Sequence, residues 1–297
     1  MSSIHTMIQA PEGTKLWLLD CGNMEADEGW FKRGGGTNTK SNPTAISNRR
    51  VLSIISVLIE HPTEGLILFE TGAGKDYHNH WVNSDLQMMP LDKMLIIYQG
   101  APLNDVFAQW NYRPDQELDV QIAKTGHNIK DIKAVIMGHL HLDHAGGLEH
   151  FRGTDIPIYV HETELKHAYY SAATGSDVVY LIKDLPFDVN WQSFSGSSHE
   201  IFQGITLHHA PGHTPGLCIM QVNLKESGTF IMTTDMYHVY ENWEASHPQG
   251  WLARDHDDWV RSHQMIKTLQ RRTNAKMVFG HCKDTFDKYE HAPHAYQ

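Results

Sequence analysis

Residues 133–147 read KAVIMGHLHLDHAGG, an apolar run followed at once by three histidines and an aspartate within six positions. The run 134–137 has the length and β-branched content of a buried strand, so the ligating residues fall where a strand gives way to a loop. Alternate side chains of an extended segment share a side, which lets His139 and His141 converge on one ion. Asp143 and His144 lie beyond the next turn and point elsewhere. Imidazole and carboxylate bonds of about 2.0–2.2 Å leave so short a segment little slack to wrap all four groups around one ion. Two adjacent ions accommodate them. The Ala145-Gly146-Gly147 that follows is expected to let the backbone turn tightly around those ions.

Further ligand types stand at the ends of other strand-like runs. HHAPGHTPG holds His213 in a loop punctuated by Pro and Gly, TFIMTTD ends at Asp235, and KMVFGH ends at His281. Loops at one edge of a sheet are where such groups converge. Strand-sized apolar runs recur at 15–19, 51–59, 66–69, 134–137, 156–160, 205–209, 217–222, 229–233 and 277–279. SVLIEHPTEGLILFETG and LCIMQVNLKESGTFIMTTD each read as a hairpin. Helical patterns cover 162–170 and 255–272, the second with Asp255 as its cap and Trp259, Ile266 and Leu269 on one face. Strands interleaved with helices define an α/β layered fold, and with no linker-like segment the chain reads as one domain over 1–297. The stretch 76–113, with Trp81, Met88, Met89, Tyr98, Trp110 and Tyr112, reads either as an inserted cover over the site or as the ordinary core of a helical hairpin.

At 297 residues with 40% apolar content the chain buries a sizeable core. A formal charge of -11 without a basic cluster disfavours nucleic acid and anionic membrane surfaces as partners, and leaves small neutral molecules. Three scattered cysteines, Cys21, Cys218 and Cys282, fit a reducing compartment and no disulfide framework. Neither a leader-like start nor an apolar run of spanning length is present, so the expectation is a soluble cytoplasmic protein, with a homodimer as one open assembly. His208, His209, His256, His263, His291 and His294 lack matching partners and read as structural or solvated.

HLHLDH, the histidine of APGHTPG, the aspartate after TFIMTT and the histidine after KMVFG together resemble the metallo-β-lactamase superfamily over nearly the whole chain. The resemblance implies an αββα sandwich: two facing mixed β-sheets flanked by helices, with metals at one edge. It implies that His139, His141 and His213 hold one metal, that Asp143, His144 and His281 hold the other, and that Asp235 bridges them. Two divalent ions follow, with zinc as the default and iron, manganese or cobalt as alternatives. Glu70 in LFETG stands where relatives usually carry an aspartate that supports the site.

Within the superfamily the chain is most similar to N-acyl-homoserine lactonases, which share HLHxDHAGG and a Glu-Asn pair after the bridging aspartate, here Glu241-Asn242. Many of those enzymes place a substrate-binding tyrosine three residues after that aspartate. Here the position is His238, flanked by Tyr237 and Tyr240. The implied reaction is attack of a hydroxide shared by two ions on the carbonyl of a lactone, with N-acyl-homoserine lactone signals in view. His238 or Tyr237 would donate to the developing oxyanion, Tyr240 would contact substrate, and Asp143 would carry a proton to the leaving group. The alternatives are hydrolysis of aromatic lactams or cyclic carbamates of the benzoxazolinone type, and a glyoxalase II-like thioesterase, which usually needs basic residues to grip glutathione, whereas no basic cluster is seen here near the C-terminus.

Overall fold

The computed structural model describes residues 8–44, 46–83 and 102–297. Twelve strands are assigned among them: β1 (Lys15–Asp27), β2 (Arg49–His61), β3 (Gly65–Phe69), β4 (Ala108–Gln109), β5 (Ile132–Ile136), β6 (Pro157–His161), β7 (Asn190–Phe194), β8 (Ser198–Phe202), β9 (Ile205–His209), β10 (Cys218–Leu224), β11 (Gly228–Met232) and β12 (Lys276–Val278). They form a seven-stranded sheet in the order β4-β1-β2-β3-β5-β6-β7 and a five-stranded sheet in the order β12-β11-β10-β9-β8. Both are mixed: β3, β5, β6 and β7 run parallel and β11 pairs parallel with β12, whereas the remaining neighbours are antiparallel.

The strands read as nearly continuous apolar runs because both of their faces are covered. Leu16, Leu18, Val57, Ile59, Ile67 and Phe69 of the larger sheet meet Leu207, Met220, Val222, Phe230 and Met232 of the smaller one, forming the core between the sheets. The alternate residues Trp17, Leu19, Leu58, Leu66, Leu68 and Val135 face outward into a second core with Trp81, Leu103 and Ala168. Ile219 and Ile231 pack outward against Trp259, Ile266 and Leu269. Those last three residues lie on helix His256–Thr273, whose N-cap Asp255 accepts from the Asp258 amide and whose C-cap Asn274 is left-handed.

Two departures from expectation have structural causes. β1 runs to Asp27 rather than stopping at residue 19, because a register shift between Asp20 and Asn23 lets it bend past its polar centre and continue. β7 and β8, NWQSF and SHEIF, lie largely outside the apolar signal, since they are half-exposed edge strands of the larger and smaller sheet. The stretch 76–113 is woven into the body where it is described: Trp81 and Leu103 are buried, and β4 pairs with β1. Residues 84–101 of that stretch, including Met88, Met89 and Tyr98, lie outside the described residues.

The cysteines are buried and free, and no helix among the described residues is long and apolar enough to cross a membrane. The two-sided burial sets an order of stability losses. Leu207→Ala, fully buried between the sheets, is expected to cost about 2–5 kcal/mol. Asp255→Ala, which removes one cap, should cost about 1 kcal/mol. Denaturant unfolding of the two variants measures this, and the opposite ranking would refute the assignment of the core.

Candidate metal centre

Four strand ends deliver the site. The segment after β5 passes through Gly138, whose carbonyl accepts from the Cys218 amide at 2.8 Å and so joins the sheets just before His139. His141 caps a single helical turn, Leu142–Ala145, that carries Asp143 and His144. The loop after β9 supplies His213, the segment after β11 Asp235, and the segment after β12 His281. All seven are buried. Their ligand atoms form two groups, His139, His141, His213 and Asp235, and Asp143, His144, Asp235 and His281, each within 4.8 Å and both containing Asp235.

Asp235 is the centre. Its carboxylate lies 2.8 Å from His281 Nε2, 3.1 Å from His144 Nε2, 3.2 Å from His213 Nε2 and 3.7 Å from His139 Nε2. His281 Nε2 is also 3.4 Å from Asp143 Oδ2. Despite this proximity, the Nε2 atoms of His139, His144 and His281 and Oδ1 of Asp235 are buried without a hydrogen-bond partner among the described residues. Polar atoms turned toward one another without donor–acceptor alignment are costly to bury. A cation among them removes that cost, and imidazole with carboxylate is a donor set for divalent ions such as zinc. The residues are therefore able to bind metal.

The outer ring nitrogens show how the imidazoles are held. His281 Nδ1 donates to the Ser53 carbonyl at 2.7 Å, and His144 Nδ1 donates to Glu70 Oε2 at 3.0 Å. In the neutral ring each contact leaves Nε2 as the lone pair facing inward. His141 differs in turning Nδ1 inward, 3.0 Å from His213 Nε2. Glu70 also accepts from the Gly138 amide at 2.9 Å, tying two ligand-bearing turns together from a backbone at φ 60°. Glu164 is a second such tie, accepting from Leu140 N–H, Tyr180 O–H and Thr214 O–H at 3.0, 2.8 and 2.6 Å. The sequence carries no signal for Glu164, whose partners come from three separate segments.

Gly146 and Gly147 serve close packing rather than a turn around ions. A Cβ on either would lie 2.1 Å from Ala73 O or 2.2 Å from Thr71 O, in the loop that follows Glu70.

Burial disfavours the charged forms of His139 and His141 and holds both well below the ordinary histidine value. At His144 the carboxylates of Asp235, Asp143 and Glu70 outweigh burial and hold the pKa well above that value, and at His281 Asp235 and Asp143 outweigh burial and raise it. Burial pushes the Asp235 carboxyl upward, but His281, His144, His238 and His139 together bring it well below the usual range. Burial raises Glu70, against the pull of His144.

His238 joins this cluster and the two tyrosines do not. Its Nε2 lies 3.1 Å from Asp235 Oδ2, and its ring stacks between Phe31 and His281. Burial holds it down at about 4, so it is neutral at pH 7. Asn242 of the Glu241-Asn242 pair accepts from the His238 and Val239 amides, each at 3.1 Å, and fixes the backbone there. Glu241 instead pairs with Arg50 at 2.5 Å. Tyr237 points to the opposite side: its hydroxyl meets His263 Nδ1 at 2.8 Å in the core with Trp243 and Trp259. Tyr240 is partly exposed and rests against Phe279. Neither lines the pocket.

That pocket is bounded by His141, Asp143, Asp235, His238 and His281 and walled by Met24, Leu52, Phe107, Leu142, Val179 and Leu252. Arg254 grips Asp177 with two bonds of 2.7 and 2.6 Å, pinning the wall segments that carry Leu252 and Val179 to each other.

A two-sheet sandwich with His/Asp clusters at one edge is matched in sequence by the metallo-β-lactamase superfamily over residues 49–281, and the chain belongs to that superfamily. Among its relatives it is similar to the N-acyl homoserine lactonase AttM of Azorhizobium caulinodans, 31% identical over 192 residues, 62% of this chain and 71% of the relative. The N-acyl homoserine lactonase AiiB of Agrobacterium fabrum is 24% identical over 282 residues, 92% of this chain and 95% of the relative. The fold is that of an N-acyl homoserine lactone hydrolase solved with the product N-hexanoyl-L-homoserine at its catalytic metal center, with TM-score 0.74 at 22% identity over 97% of this chain and 99% of that one.

Two outcomes follow from the geometry. Glu70→Ala, which frees both His144 and the Gly138 turn, should weaken metal affinity by about 10–100-fold in chelator competition. The carboxylates keep protons on His144 and His281 that a cation must displace, so uptake releases protons and tightens as pH rises toward their raised pKa. Calorimetry in buffers of different ionisation enthalpy reads that release, and identical heats in all of them would disprove it.

Proposed function

We propose that this hydrolase opens the ring of a lactone, with N-acyl homoserine lactones as its substrate class. The observation that carries the proposal is the pair of His/Asp groups sharing Asp235, with inward-facing orphan atoms, at the floor of a pocket whose upper wall is apolar. In this reading His139, His141 and His213 hold one divalent ion, Asp143, His144 and His281 hold a second, and Asp235 serves both. Bound there, two zinc ions supply Lewis acidity for the carbonyl oxygen and lower the pKa of water toward 7.

The remaining roles belong to the chain. His238 is neutral and borders the pocket, so it donates a hydrogen bond to the lactone carbonyl oxygen as negative charge gathers there. Water is the nucleophile, its oxygen bonding the carbonyl carbon; Asp143, also in the pocket wall, takes the proton that this water loses and hands it to the ring oxygen as the C–O bond breaks, giving a hydroxy acid. Met24, Phe107, Val179 and Leu252 receive the acyl chain and keep solvent from the reacting carbonyl. Tyr237 and Tyr240 have no part in these steps, because their side chains leave the pocket.

A panel of acyl-homoserine lactones of graded chain length, aromatic lactones, benzoxazolinone-type rings and glutathione thioesters tests the reading. Lactones are expected to be opened and thioesters left intact. Thioester cleavage alone would overturn the proposal, and preference for the aromatic ring would redirect it to cyclic carbamates. His238→Ala should lower kcat by about 10²-fold or more with metal content unchanged; loss of metal instead would place His238 among the supports of the centre.

A further inference from the structure

The side chain of Gln249 is fully buried and touches both sides of the site. Its amide nitrogen sets two hydrogens against three acceptors, the Asp235 carbonyl, the Met236 carbonyl at 3.1 Å and His238 Nδ1 at 3.2 Å, so one N–H is shared between two of them. Its Oε1 faces His213 Nδ1 at 3.2 Å. A carbonyl oxygen only accepts, so the two carbonyls fix which end of the carboxamide is nitrogen. Two consequences then follow within this network. His213 Nδ1 must carry a proton to donate to Oε1, which leaves its Nε2 as a lone pair toward Asp235. His238 Nδ1 must accept, which places the ring proton on Nε2.

That Nε2–H lies 3.1 Å from Asp235 Oδ2 but is not aligned with it, and it finds no acceptor among the described residues. Phe31 and His281 stack against the ring, and Asn242 anchors its backbone, so the N–H is held beside Asp235 at the border of the pocket. We propose that Gln249 is a positioning residue that sets, through one carboxamide, the tautomer of the metal-binding His213 and that of the pocket donor His238. Its role in turnover rests on the lactonase reading, whereas its role in the tautomers does not.

Gln249→Glu separates the two functions. A carboxylate of the same shape still accepts from His213 Nδ1–H but cannot donate to His238 Nδ1, so His238 should move its proton to Nδ1 and lose its donor. In zinc-loaded protein labelled with ¹⁵N-histidine, with the His238 signals assigned by their absence in His238→Ala, long-range ¹H–¹⁵N spectra distinguish the tautomers. Wild type should show His238 protonated on Nε2, and Gln249→Glu should show it protonated on Nδ1. Zinc content should be unchanged, kcat should fall by about 10²-fold, and KM should move little, as removal of one oxyanion donor requires. The wild-type spectrum alone overturns the proposal if His238 carries its proton on Nδ1, whatever the folding of the variant. An unchanged tautomer and kcat in Gln249→Glu would also overturn it, as would loss of zinc in proportion to kcat, which would leave Gln249 a support of His213 only. If no lactone is opened by the wild type while both spectra come out as expected, the positioning role stands and the substrate reading falls.

Discussion

One buried carboxylate organises this protein. Asp235 is approached to within 3.7 Å by the Nε2 atoms of His139, His144, His213, His238 and His281, which arrive from four separate turns. Five imidazoles and a carboxylate at this spacing cannot satisfy one another by hydrogen bonds alone, because several of their atoms are left without a partner. The cluster is tolerable where a cation neutralises it, and the surrounding fold is arranged to hold it in that form. Burial and the neighbouring carboxylates pull the ring pKa values apart, with His139 and His141 below the ordinary value and His144 and His281 above it.

The fold meets this constraint by rigidity outside the cluster. Both sheets are covered on both faces, so the strand ends that carry ligands sit on a packed base. Around the ligands runs a ring of acceptors, Glu70 for His144, Ser53 for His281 and Gln249 for His213, each fixing a ring through the nitrogen that faces away from the centre. Glu164 joins the turns at Leu140, Tyr180 and Thr214, and Arg254 with Asp177 joins the pocket walls. The apolar surface above the centre then meets a polar floor, an arrangement suited to an amphipathic ester.

Much of this was legible in the chain. The seven residues His139, His141, Asp143, His144, His213, Asp235 and His281 announce themselves because each follows an apolar strand run, and a short motif such as HLHLDH fixes its own local spacing. The alternation of buried strands, the Asp255 cap and the two hairpins are local properties too, since they depend on neighbours a few residues away. The polar strands β7 and β8 were not legible, because only their position in the larger and smaller sheets makes them strands.

What the tertiary structure alone decided is which side chains face the centre and what holds them. Tyr237 and His238 are adjacent in sequence and equally plausible as donors, yet the packing of Trp243, Trp259 and His263 draws the tyrosine outward and leaves the histidine inside. Glu70, Glu164 and Gln249 act on partners 74, 50 and 36 residues away. No local pattern encodes such a pairing, because it exists only once the two sheets have closed on each other. The sequence by itself determined which seven side chains stand at the strand ends as candidate ligands, and the layered fold, through residue type and periodicity; the orientation of His238 and the shape of the pocket were decided by contacts between segments that meet only in the folded chain.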